Sequence, residues 1–102
     1  MKKKILVTGS SGMVGKSLIK LLEKKSYIIL TPSSKKLNLL NQVSVDSFIK
    51  KNKPSLIIHL AGYIGGIGAS INEPINFLQE NMLMGVNLIK SAHKFKIKNF
   101  LN

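Results

Sequence analysis

Hydrophobic and polar positions follow two rhythms along this chain. Ile5 to Thr8 is an unbroken apolar, β-prone run that stops at Gly9, the pattern of a strand buried on both faces. Behind the glycine the period lengthens. Val14, Leu18, Leu21 and Leu22 fall at i, i+4, i+7 and i+8 while Lys16, Lys20 and Lys24 take another face, which predicts an amphipathic helix. Ser26 to Leu30 returns to a strand-like run.

"TPSSKK", Thr31 to Lys36, is a turn-rich break, and "LNLLN", Leu37 to Asn41, predicts a brief third strand. A helix from Gln42 to Asn52 follows, with Val45, Phe48 and Ile49 inward, and Pro54 separates it from a strong strand candidate, Ser55 to Ala61. That strand runs into the glycine-rich "GYIGGIGAS". Asn72 and Pro74 then mark the start of a helix to Lys94, with Leu78, Met82, Val86, Ile89 and His93 along one face. "KNFLN" reads as the opening of another strand. Strands alternating with helices predict an α/β fold, a Rossmann-type parallel sheet with flanking helices, breaking off after the start of the fifth strand.

Composition narrows the function classes. With 102 residues the chain holds one domain, and with no cysteine it has neither disulfides nor a thiolate metal site. The basic start "MKKK" leads into an apolar run too short for a signal peptide or a membrane span, so a soluble cytoplasmic protein without a membrane partner is expected. The net charge of +12 comes from sixteen lysines and no arginine. They are scattered from Lys2 to Lys98 without interleaved aromatics, so solvated lysine faces are expected and no nucleic-acid partner.

The chemistry concentrates in "VTGSSGMVGKSLIKLL". A helix opening directly behind a strand and a glycine turn presents unpaired backbone N–H groups and the positive end of its dipole, which suits a phosphate. In G-x-x-G-x-x-G, Gly9 would make the tight turn, Gly12 would let a pyrophosphate reach the backbone, and Gly15 would let the helix lie against the strand. The alternative is a structural turn without ligand. A carboxylate for the ribose of NAD is missing at the end of the second strand, where Thr31, Pro32, Ser33, Ser34, Lys35 and Lys36 stand instead. Hydroxyls and lysines fit an extra 2′-phosphate, so NADP is the expected cofactor; an ordinary solvated loop is the alternative.

"HLAGYIGGIG", His59 to Gly68, sits where open α/β sheets place their ligands, at the carboxyl end of a central strand. By itself His59 reads as a core residue, and Gly65, Gly66 and Gly68 as a loop.

Taken in order, "VTGSSGMVGKSLIKLL", "SSKKLNLL", "KPSLIIHLAGYIGGIGAS", "EPINFLQENMLMGVNLIKSAHK" and "IKNFL" resemble the amino-terminal part of extended short-chain dehydrogenase/reductases, in the NAD-dependent epimerase/dehydratase family. Asn81, Asn87 and His93 stand at that family's spacing. The resemblance implies a single NADP-binding domain over residues 1–102, in which Gly9, Ser10, Ser11, Gly12, Met13, Val14 and Gly15 wrap the pyrophosphate. Ser33, Ser34 and Lys35 would meet the 2′-phosphate, and Asn38 and Leu39 would border the adenine. Ala61 and Gly62 would follow the nicotinamide-side ribose, Gly62 replacing the usual alanine, and Gly65 and Gly66 would shape the substrate cleft.

Family members reduce a ketone with a serine and with a tyrosine followed four residues later by a lysine. Neither tyrosine here fits, since Tyr27 is followed at that distance by Thr31 and Tyr63 by Ile67. The resemblance therefore implies a cofactor segment inactive alone, with a GDP-sugar as partner only in a complete enzyme. The unfinished strand at Asn99 to Asn102 would leave an open sheet edge that invites pairing with a second copy or with a chain supplying the rest. Two alternatives stand beside it, a non-catalytic NADP-binding or sensing module and a segment of another nucleotide-sugar epimerase/dehydratase.

Overall fold

The computed structural model describes residues 3–60 and 74–101. In chain order these form β1 (Lys4–Thr8), α1 (Met13–Glu23), β2 (Ile28–Leu30), α2 (Gln42–Asn52), β3 (Leu56–His59), α3 (Pro74–Lys94) and β4 (Asn99–Leu101). The sheet order is β2-β1-β3-β4, and every pairing is parallel. Thr8 stands opposite His59 in the register, so the carboxyl ends of the two central strands finish level.

Alternation along the strands sends side chains to two cores. Leu6 and Ile57 point to the side of α2 and α3, where Leu37, Leu39, Val45, Ile49, Leu88 and Ala92 close around them. Ile5, Val7 and Ile58 point to the other side and meet Leu18 and Leu22 of α1. Leu6, Val45, Ile49 and Ile57 are fully enclosed. Burial of each such side chain contributes about 1.5–3 kcal/mol, so these four positions fix the order of the layers.

Three expectations are corrected. Leu37 to Asn41 is a turn, and the described residues hold four strands, so Asn99–Leu101 is the fourth. The Asn38 side chain accepts the Leu40 N–H at 3.1 Å, and the Asn41 N–H returns to the Asn38 carbonyl, a local closure that competes with extended pairing. Leu37 and Leu39 are buried against α2 and α3, which explains their apolarity without a strand.

The α1 stripe is rotated from the expected one. Val14 and Leu21 are exposed, and the helix packs through buried Gly15 with half-buried Leu18 and Leu22. The approach of the helix at Gly15 sets this rotation.

In α3 the expected apolar face turns outward. Leu78, Met82, Val86 and Ile89 are all exposed, as is His93, whereas Asn87, Leu88, Ser91 and Ala92 are buried. Facing polar residues of α2 account for this. Gln42 donates to the Asn87 carbonyl and to Asp46, and Lys94 pairs with Asp46 at 3.2 Å.

Lysines collect at the helix carboxyl ends, where they complement the dipoles: Lys20 in α1, Lys50 and Lys51 in α2, and Lys94 in α3. Those ends lie at the amino edge of the sheet, away from the carboxyl ends of β1 and β3. Among the described residues, no helix is long and apolar enough to cross a membrane.

Candidate dinucleotide site

The three glycines of the first loop have different reasons to be glycine. Gly9 has φ 73°, a left-handed backbone that other residues adopt at a cost. A Cβ on Gly15 would stand 2.7 Å from Ser10 Cα and collide with the Gly9 carbonyl. Both glycines are demanded by the protein itself. Gly12 differs, because its backbone is ordinary (φ −74°, ψ 172°) and a Cβ there would meet only the Gly9 carbonyl at 3.5 Å, an ordinary contact. The described fold tolerates a side chain at Gly12, so packing gives no reason for glycine there.

The first two crossover helices open differently. Asn41 caps α2, its side chain accepting from the N–H groups of Val43 and Ser44. Gly12 offers α1 no such cap, and the first turn of α1 carries no acidic residue. Its free N–H groups and dipole are left for an anion from outside.

In front of that end lies a cavity of about 550 Å³, lined by Thr8, Gly9, Ser10 and Ser11 from the first loop and by Thr31 to Ser34 from the end of β2. Leu37 to Leu40 and Met84 complete it. Among the described residues, no lining residue is acidic, so none of them repels a phosphate. The structure thus brings Gly9, Ser10 and Ser11 together with Ser33, Ser34, Asn38 and Leu39. Gly12, Gly15 and the exposed Met13 and Val14 lie outside the lining, and so does exposed Lys35, one residue beyond Ser34. Ala61, Gly62, Gly65 and Gly66 lie outside the described residues.

The Leu37–Leu40 wall is held from behind. Buried Asn87 donates its amide to the Leu39 carbonyl at 2.9 Å, and the Ser44 hydroxyl accepts the Asn38 N–H at 3.0 Å. Leu37, Leu40 and Met84 are lining residues that the sequence reading missed. For Met84 the signal was its place one turn before Leu88, on a helix face less apolar than the outward one.

A second polar junction ties β1 to β3. Thr8 Oγ1 lies 2.7 Å from His59 Nδ1, and the Leu60 N–H donates to both the carbonyl and the hydroxyl of Thr8. Burial holds the imidazole pKa below its usual 6.5. On the far side of the wall, Ser91 holds the Asp46 carboxyl below the usual carboxylate range, with Gln42 and Lys94 adding to the effect. The buried Ser91 Oγ lacks a hydrogen bond of full geometry, so its influence on Asp46 is one of proximity. Tyr27, at the amino end of β2, is at the opposite edge of the sheet from the cavity.

Comparison with known proteins gives a consistent picture. The sequence pattern of the NAD dependent epimerase/dehydratase family matches residues 5–102. The chain is 48% identical over 99 residues to a GDP-L-colitose synthase of Yersinia pseudotuberculosis, covering 97% of this chain and 32% of that protein. A GDP-L-fucose synthase of Azorhizobium caulinodans is 37% identical over 100 residues, covering 98% of this chain and 32% of the relative. Among solved structures, a GDP-mannoheptose C4 reductase from Campylobacter jejuni with NADP bound superposes with a TM-score of 0.88 at 26% identity, over 97% of this chain and 32% of the other. The chain thus spans about a third of the length of the relatives it matches.

Proposed function

The chain belongs to the NAD dependent epimerase/dehydratase family, and from that membership we propose that it is the NADP-binding segment of an enzyme resembling GDP-L-fucose synthase. In complete form such an enzyme converts GDP-4-keto-6-deoxymannose to GDP-L-fucose by epimerisation and NADPH-dependent ketone reduction. Gly12 is the observation that carries the cofactor reading, since the fold accommodates a Cβ there and a pyrophosphate would not. The uncapped α1 start and the acid-free cavity fit the same ligand.

Within the site, the backbone from Gly9 to Gly15 receives the pyrophosphate, with Met13 and Val14 contributing main-chain N–H groups at the helix start. Ser33 and Ser34, with Lys35 from the rim, take the 2′-phosphate, while Asn38 and Leu39 border the adenine. Bound NADPH supplies the hydride for the ketone. As the family resemblance implies, Ala61 and Gly62 would meet the nicotinamide-side ribose and Gly65 and Gly66 the sugar.

Proton transfer needs a tyrosine tuned by a nearby lysine, and these 102 residues carry no Tyr-x-x-x-Lys. The chain alone therefore binds cofactor without turnover. The apolar α3 stripe and the free edge of β4 are surfaces on which the rest of a complete enzyme would pack. A binding or sensing role is the second reading, favoured by the same missing pair.

Thermal unfolding of the chain with and without NADPH tests the proposal. Ligand at about 100 times its dissociation constant adds roughly 2.7 kcal/mol to the stability of a binder. An upward shift larger for NADPH than for NADH supports the reading; a transition unmoved by either cofactor refutes it.

A further inference from the structure

Asn38 commits every polar atom but one to holding its own turn, and the one left over has a definite sign. Its N–H donates to the Ser44 hydroxyl at 3.0 Å, and its carbonyl accepts the Asn41 N–H. The side-chain oxygen, Oδ1, accepts the Leu40 N–H at 3.1 Å. A backbone N–H can be met only by the oxygen end of a carboxamide, so this bond fixes which way round the amide stands. Among the described residues nothing engages Asn38 Nδ2, and the residue is exposed. Its two N–H donors are therefore the polar group that Asn38 brings to the cavity it lines.

Leu37, Leu39 and Leu40, its neighbours in the chain, line the cavity with it, as does Met84, whereas the serine hydroxyls of the lining belong to the first loop and the end of β2. Apolar side chains beside one directional donor suit the flat face and the acceptor edge of a nucleobase. A purine carries an acceptor at N7. In adenine the neighbouring 6-position is an amino donor, whereas in a 6-keto purine it is a second acceptor. An acceptor for the amino group is what this turn does not have to spare, since Oδ1 and the Asn38 carbonyl are engaged locally and the Leu39 carbonyl takes the buried Asn87 amide at 2.9 Å.

We propose that Asn38 is a specificity-determining residue that reads the purine of the dinucleotide at N7 through an N–H donor and leaves the 6-amino group unread. The site then accepts a 6-keto purine as well as adenine. This inference rests on the NADP reading for its ligand and goes beyond it in naming the edge of the base that is recognised.

Equilibrium titration with NADPH and with deamino-NADPH, its hypoxanthine analogue, tests the inference. The wild type should bind the two with affinities less than about tenfold apart, since N7 is common to both. Asn38→Asp keeps an oxygen for the Leu40 N–H and turns the free donor into an acceptor, which meets the 6-amino group of adenine but faces the lone pairs of the 6-keto purine. The variant should therefore prefer NADPH by at least about tenfold, the scale of one hydrogen bond made or left unsatisfied. Its added negative charge weighs on both ligands alike and cancels in that ratio. A wild-type preference for NADPH of about tenfold or more overturns the inference, because the 6-position is then read, and this comparison stands even if the variant does not fold. A ratio unchanged from wild type in folded Asn38→Asp also overturns it. In either case, binding of NADPH by the wild type upholds the cofactor reading. Failure of the wild type to bind either ligand overturns the cofactor reading and this inference with it.

Discussion

Gly15 of α1 lies against Ser10, so close that a Cβ on the glycine would stand 2.7 Å from the serine Cα. Backbone atoms on both sides cannot yield as a flexible side chain would. Gly15→Ala is therefore expected to cost about 3 kcal/mol or more, above the usual range for overpacking. Chemical denaturation of the variant checks this; a midpoint within experimental error of wild type refutes the packing role.

Gly12 gives the opposite expectation. Gly12→Ala should unfold like the wild type, because its Cβ meets only an ordinary contact. Its NADPH affinity should fall at least tenfold, and Gly12→Val should abolish binding, since the side chain takes the place of the pyrophosphate. Fluorescence titration with NADPH reads this directly, and unchanged affinity in a folded variant would remove the phosphate from this loop.

The 2′-phosphate assignment is tested by discrimination between cofactors. Replacing Ser34 and Lys35 together by alanine should weaken NADPH by at least roughly 10- to 100-fold, the scale of one hydrogen bond to a charged group. NADH should change little. Equal weakening of both would place the effect elsewhere in the site.

Asn87→Leu should loosen the cavity wall by stripping the Leu39 carbonyl of its buried donor. An unsatisfied buried carbonyl costs about 1–3 kcal/mol, so thermal unfolding should drop by several degrees and NADPH affinity with it. Loss of stability with unaltered affinity would show that the wall does not border the ligand.

Asn41→Ala removes the cap of α2 and should cost about 1 kcal/mol, without touching affinity beyond that loss of stability. A urea titration measures the cost. It serves as a control in which the crossover through α2 is disturbed and the one through α1 left intact.

Much of this architecture was legible in one dimension. Gln42 to Asn52 is an amphipathic run set off by Pro54, signals that act within a few residues, and the helix has those bounds. Ile5 to Val7 and Leu56 to Ile58 are apolar throughout because parallel strands are covered on both faces, and both belong to central strands. The end of β2 likewise showed its hydroxyls and its lack of acid. "LNLLN" misled because burial makes the same apolar pattern in a turn as in a strand. An Asn38 side chain bonding two residues ahead decided the matter.

Sequence by itself determined the βαβ rhythm, the glycine loop and the absence of a carboxylate after β2, since each depends on residues near one another in the chain. Tertiary structure alone decided which glycine the packing demands and which it does not, because space around a missing Cβ is set by atoms that only the fold brings near. It also decided that α3 turns Asn87 and Leu88 inward and its apolar stripe outward. Thr8 and His59 stand 51 residues apart and meet only because β1 and β3 pair in register, so no local pattern could have announced their bond.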